Sequence, residues 1–202
     1  MIAIVDYGVG NLFSLARSLE YLGAEARVTG DAAALEAADK VILPGVGAFG
    51  DAMAKLRATG LDRVVSARAA AGVPLMGICL GMQLLFENSE EYGHYTGLGL
   101  IAGTIRPLRE AVPPALKVPH MGWNALEVLR PHPLVRGLRP GDCVYYVHSY
   151  YATDCADAVI ASSEYGVDVP GVVARGNVCG CQFHPEKSGR VGLDILRAFC
   201  NM

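Results

Sequence analysis

No apolar run among the 202 residues reaches the ~18 needed to span a membrane as a helix, although 52% of the chain is hydrophobic. Charge is scarce at 18% of residues, with a net value of −3. Without a basic stripe to neutralise phosphates, nucleic-acid binding has no electrostatic case. The opening Met1-Ile2-Ala3-Ile4-Val5-Asp6 lacks the basic start and small-residue cleavage site of a secretory signal, so a cytoplasmic protein is expected. The six cysteines (79, 143, 155, 179, 181 and 200) include no Cys-x-x-Cys pair, and free thiols are expected. Cys179-Gly180-Cys181 would put two thiols on one face of a strand, where they read as small core residues. With His94, His120 and His132 scattered at no metal-ligand spacing, neither a metal nor a cofactor is expected. Repeats, low-complexity tracts and Gly/Ser linkers are also missing. Residues 1–202 therefore read as a single domain, too hydrophobic to be disordered.

The patterns that are present alternate strand with helix. Met1 to Asp6 reads as a strand, and Leu12, Leu15, Ala16, Leu19 and Leu22 recur at helical spacing up to a Gly23 cap. Ala24 to Thr29, a short helix over Asp31 to Ala38, and a buried strand Val41 to Leu43 follow. Gly8-Val9-Gly10 lacks the third glycine of a dinucleotide fingerprint, which removes the case for a nucleotide cofactor. Two helical stretches, Ala52 to Leu56 and Leu61 to Ala71, precede a strand at Val73 to Ile78. This order predicts an α/β fold: an open, mostly parallel sheet flanked by helices. After Phe86 the pattern changes. Asn88 to Leu98 reads as a surface connection. Ile101 to Ile105, Trp123 to Leu129, Val144 to His148, Ala158 to Ser162 and Gly171 to Ala174 read as an antiparallel β extension. A final helix is predicted over Val191 to Phe199.

The chemistry centres on Gly77-Ile78-Cys79-Leu80-Gly81, between the strand Val73 to Ile78 and a helical run from Met82 to Phe86. Gly-x-Cys-x-Gly at a strand-to-helix turn is a nucleophile elbow with cysteine for serine. The turn forces its central residue into an unfavourable backbone conformation and leaves no room for side chains on either flank. The thiol then stands at a helix N-terminus, where free amides favour the thiolate.

A cysteine nucleophile needs an imidazole to take its proton and a third group to orient that imidazole. His184-Pro185-Glu186 supplies both at the end of a predicted strand, Asn177 to Phe183, and the proline suggests a rigid extended segment. Pro44-Gly45-Val46-Gly47, at the carboxyl end of the third strand, can turn amides toward an oxyanion, together with the amide of Leu80. These residues by themselves define acyl transfer and leave its substrate open.

The elbow, the Pro44-Gly45-Val46-Gly47 loop and the terminal His-Pro-Glu resemble the class I (triad) glutamine amidotransferases. Four further stretches narrow the resemblance: Val5 to Leu12, Val118 to Asn124, Tyr145 to Tyr151 and His184 to Ser188. They extend it over essentially the whole chain, toward the glutaminase-subunit family of imidazole glycerol phosphate synthases in histidine biosynthesis.

That resemblance implies a flavodoxin-like sheet and L-glutamine as substrate. Cys79 would form a thioester, assisted by His184 and Glu186, with Gly45, Val46, Gly47 and Leu80 at the oxyanion. Gly47, Gln83, Ser149 and Tyr150 would line the glutamine site. It further implies a heterodimer with a (β/α)8-barrel cyclase, which uses channelled ammonia to make imidazole glycerol phosphate and aminoimidazole carboxamide ribonucleotide (AICAR). Asn11, Trp123, Tyr145 and Lys187 match that family's interface positions. Three rivals are a glutaminase of another pathway, a thiol hydrolase of the same fold, and a scaffold without activity. Pro119 to Asn124 disfavours the first. Leu80, where such hydrolases carry histidine, disfavours the second, and the complete Cys79, His184 and Glu186 set disfavours the third.

Overall fold

The computed structural model describes all residues, 1–202. The first half alternates as the apolar pattern predicts. β1 (Ile2–Val5), α1 (Leu12–Tyr21), β2 (Ala26–Thr29), α2 (Ala32–Glu36) and β3 (Lys40–Gly45) lead to two helices, α3 (Phe49–Ala58) and α4 (Leu61–Ala70). Asp31 starts α2 by accepting a hydrogen bond from the Ala33 amide, and Gly23, at φ +75°, takes the chain out of α1. β4 (Leu75–Cys79) and α5 (Leu80–Leu84) form the elbow. The second half holds β5 (Phe86–Ser89), β6 (Tyr95–Thr96), β7 (Ile101–Pro107), α6 (Leu108–Ala111), β8 (His120–Ala125) and β9 (Glu127–Val128). β10 (Cys143–His148), β11 (Tyr150–Thr153), β12 (Val159–Glu164), β13 (Asp168–Arg175), β14 (Val178–Cys181) and α7 (Gly189–Cys200) complete it.

The main sheet runs β2-β1-β3-β4-β14-β13-β12-β9. It is parallel from β2 to β14 and antiparallel from β13 outward. A four-stranded sheet, β11-β7-β5-β6, and a two-stranded ribbon, β10-β8, stand beside it. Strand alternation divides the core between the two faces of the main sheet. Ala3, Val5, Val41, Leu43 and Leu75 pack with α3 and α4, while Ile2, Ile4, Ile42, Met76 and Ile78 pack with α1 and α7. Cys179 and Cys181 share the second face with Phe183 and are fully buried, as their spacing predicts.

Three sequence expectations are corrected. The helix after the elbow is α5 alone, ending at Leu84, and Phe86 already belongs to a strand. Burial of Phe86 in a second sheet overrides the helical period, which a five-residue apolar run cannot distinguish from a buried strand. Asn88 to Leu98 is not merely a surface connection, because it carries the end of β5 and all of β6. The extension is also not purely antiparallel: β5 and β7 run parallel, and β11, unpredicted, pairs with β7.

Candidate active site

Cys79 sits at φ +54°, ψ −114°, the strained geometry an elbow requires. Both glycines are explained by contact. A Cβ at Gly81 would collide with the Leu43 carbonyl oxygen, and one at Gly77 would lie 2.6 Å from the Gly81 oxygen and Met82 Cα. β4 brings Cys79 beside β3, in register with Gly45, at the carboxyl end of the parallel strands.

β14 runs parallel to β4 on the other side and delivers His184 three residues past its end. His184 Nδ1 lies 2.9 Å from Glu186 Oε1, and both side chains are almost fully buried. Because a carboxylate only accepts, Nδ1 carries the proton and Nε2 is left for the hydrogen bond that His184 makes with Cys79. Burial alone would favour neutral imidazole. The hydrogen bonds to Cys79 and Glu186 and their negative charges outweigh it, pushing His184 up to about 9. The expected extended segment is corrected to a single 3-10 turn, Pro185–Lys187. The Lys187 and Ser188 amides bond to the His184 and Pro185 carbonyls, and this turn folds the Glu186 carboxylate back onto Nδ1.

Cys79 and His184 open into a cleft of about 350 Å³. Val46, Gly47, Leu80, Gln83, Ser149 and Tyr150 all line it, as the sequence predicts. Gly45 does not: it lies one residue deeper, where a Cβ would come within 2.8 Å of the Gly81 nitrogen. The Gln83 amide donates to the Tyr150 carbonyl and to Gln182 Oε1, each at 3.0 Å. Its carbonyl oxygen therefore remains to accept from a bound molecule.

The cleft also contains residues the sequence reading missed. Glu91 is buried, receives the Phe49 amide at 2.6 Å, and is raised by that burial, the amide bond opposing and Asp51 adding. Tyr92, at φ +53° and exposed, meets Tyr150 edge to face at 5.9 Å between ring centres. His148 also lines the cleft. In sequence, Glu91 is one acid in a polar run; only the β5–β6 hairpin turns it inward.

The four residues expected at an interface lie around one end of the molecule. Trp123, 59% exposed on β8, faces Tyr145 across the β8–β10 ribbon, with ring centres 5.9 Å apart. Exposed Lys187 lies on the turn after His184, and half-buried Asn11 opens α1, which packs beside that turn. Tyr145 also reaches the triad: its carbonyl accepts from the His184 amide at 3.1 Å, and its amide donates to Ser188 Oγ.

A thiol, an imidazole and a carboxylate in a hydrogen-bonded line can attack a carbonyl carbon and shuttle a proton to the leaving group. The comparisons with known proteins agree with that chemistry. The model of the family "Glutamine amidotransferase class-I" matches residues 3–201. The imidazole glycerol phosphate synthase subunit HisH of Listeria monocytogenes serotype 4a (strain HCC23) is 49% identical over 199 residues, covering 98% of this chain and 94% of that protein. HisH of Bacillus cereus (strain G9842) is 54% identical over 200 residues, covering 98% and 93%. The fold matches a crystal structure of a glutamine amidotransferase with a TM-score of 0.77 at 22% identity, over 100% of this chain and 98% of the other. PurLQS from Thermotoga maritima matches equally well, at 0.77 and 22%, over 99% and 97%. The chain belongs to the class-I glutamine amidotransferase family.

Proposed function

We propose that residues 1–202 act as one unit, the glutaminase subunit of an imidazole glycerol phosphate synthase in histidine biosynthesis. The observation that carries the reading is the Cys79–His184–Glu186 line at a cleft sized for an amino acid. Cys79 attacks the glutamine side-chain amide, the Leu80 amide and the Val46–Gly47 loop receive the oxyanion, and His184 passes its proton to the departing ammonia. Water then releases glutamate, with His184 as base. Glu186 holds the imidazole in the required tautomer. Glu91 and the Gln83 carbonyl oxygen offer acceptors for the substrate ammonium, while Ser149 and Tyr150 border its other side.

Ammonia at neutral pH is mostly ammonium, which has no lone pair to attack with, so the product is useful only if delivered directly. Trp123, Tyr145, Lys187 and Asn11 provide the docking end for a (β/α)8-barrel cyclase, which consumes the ammonia and yields imidazole glycerol phosphate and AICAR. The test is to mix the chain with such a cyclase and its ribonucleotide substrate, supplying glutamine as the only nitrogen source. Formation of imidazole glycerol phosphate, lost in Cys79→Ala but restored by ammonium salts, is the expected result. Glutamine hydrolysis without transfer to the cyclase would place the chain in another pathway.

A further inference from the structure

Two histidines outside the triad form a hydrogen-bonded line with every proton assigned. His148 closes β10 and His120 opens β8, directly opposite it in register. Both are buried. His148 Nδ1 lies 2.9 Å from the Tyr150 carbonyl oxygen, which only accepts, so Nδ1 must carry the proton. His148 Nε2 lies 3.0 Å from His120 Nδ1. Burial holds His148 down to about 3 and His120 down to about 4, with only the Tyr150 carbonyl opposing at His148, so both rings are neutral. His148 Nε2 is then an acceptor, and His120 Nδ1 must be its donor. The remaining His120 Nε2 accepts from Asn124 Nδ2 at 3.3 Å, and Asn124 donates its other proton to the Glu164 carbonyl at 2.8 Å. Stacking of His120 between Tyr146 and Tyr165, at 4.5 and 4.0 Å between ring centres, fixes its plane. No bond in the line can reverse without leaving a buried group unpaired.

The line ends on a carbonyl that matters to the cleft. The same Tyr150 oxygen accepts from Gln83, so the Ser149–Tyr150 segment is pinned from β10 and from α5 at one atom. We propose that His120 and His148 are positioning residues for glutamine: a neutral, single-tautomer pair that sets where Ser149 and Tyr150 meet the substrate without taking part in proton transfer. The proposal rests on the reading of the cleft as the glutamine site.

Two substitutions separate this role from mere packing. The amide nitrogen of asparagine can occupy the Nδ1 position and still donate to Tyr150, whereas glutamine presents its amide near the Nε2 position and cannot. Cys79 alkylation in the full chain is followed with a diazoketone analogue of glutamine, and separately with iodoacetamide, which needs only the thiolate. His148→Gln is expected to raise the half-saturating concentration of the analogue about tenfold. His148→Asn should stay within about threefold of wild type. The limiting rate with the analogue and the iodoacetamide rate should not move in either variant. Equal damage by both, or a fall in limiting rate with unchanged half-saturation, overturns the proposal. In parallel, 15N spectra of the wild-type imidazoles should show His120 and His148 as neutral Nδ1–H tautomers from pH 5.5 to 8. Titration of either ring within that window, or an Nε2–H tautomer, overturns it as well. Should the analogue fail to label wild type, the glutamine reading falls, while the imidazole spectra still decide whether the pair exists.

Discussion

The environment of Cys79 sets it apart from the buried thiols. Burial, with Asp154 adding, raises Cys155 to about 11, and burial raises Cys179 to about 12. Burial, Cys179 and Glu186 hold Cys181 well above the ordinary thiol range. Cys79 instead opens to the cleft and shares a hydrogen bond with His184. An electrophilic glutamine analogue should therefore label Cys79 alone, and peptide mapping that finds label on Cys179 or Cys181 would refute the assignment. Removing the proton shuttle should cost more than weakening its orientation. His184→Ala should lower turnover by about 10²–10⁴. In Glu186→Gln the amide oxygen can take the place of Oε1, leaving its NH2 where Oε2 now has no hydrogen-bond partner. The tautomer then survives, but one negative charge that holds His184 up to about 9 is lost. His184 should titrate lower in that variant, by NMR, with a smaller loss of turnover than in His184→Ala. The sign has a consequence for stability. A histidine raised from about 6.5 to about 9 contributes fully below pH 6.5, and its contribution is lost as pH climbs through 9.

Among the elements, the elbow shows best what a sequence makes legible and what it does not. Gly77 and Gly81 were readable because the turn itself forbids side chains, whatever surrounds it. Gly81→Ala pushes a methyl into the Leu43 carbonyl of the neighbouring strand, backbone that cannot yield, and should cost more than about 3 kcal/mol or prevent folding. Gly72→Ala meets nothing within 4 Å and should cost only the ~1–2 kcal/mol of a left-handed backbone at φ +80°. Urea denaturation of the two variants checks the contrast; equal losses would mean that strand contact does not explain the motif. The parallel strands were legible for a similar reason, since both faces are covered and their residues are continuously apolar. The β5–β6 hairpin was not, because Glu87, Asn88, Glu90 and Glu91 have no period and only pairing with β7 orders them. Glu91 was lost to the reading for that reason. The turn at Pro185–Lys187 escaped too: proline biases its neighbour toward extension, but bonds from Tyr145 and Ser188 fold the segment. His148 was invisible as a functional residue because its partner, His120, lies 28 positions away.

At the scale of the whole molecule, the docking end and the oxyanion loop determine whether the glutaminase idles or works. The loop is anchored only up to Gly45. The Tyr7 hydroxyl donates to the Pro44 carbonyl at 2.9 Å, and Gly45 packs against the Gly81 nitrogen. Beyond it Val46 is 42% exposed, and Gly47, at φ +96°, has nothing within 4 Å of where a Cβ would be. Freedom to turn a peptide is thus confined to the Val46–Gly47 unit, one step narrower than the four-residue motif suggests. With its carbonyl toward Cys79 that peptide opposes the oxyanion; with its amide inward it stabilises it. One such donor is worth about 3–4 kcal/mol, or roughly 10²–10³ in rate. A partner seated on Trp123 and Tyr145 also bears on the strand whose carbonyl holds the His184 amide. By favouring the amide-inward state when its own ligand is bound, it would couple the two sites while leaving the triad unchanged. The expected order of glutamine turnover is isolated chain, then complex, then complex with the cyclase's nucleotide ligand, rising overall by about 10²–10³. Replacing Gly47 with alanine should flatten that rise, since an L side chain resists the left-handed backbone seen here and restricts exchange between the two states. Equal rates in all three preparations of the unaltered chain would show that the loop does not gate, and would leave Cys79, His184 and Glu186 to account for all of the rate.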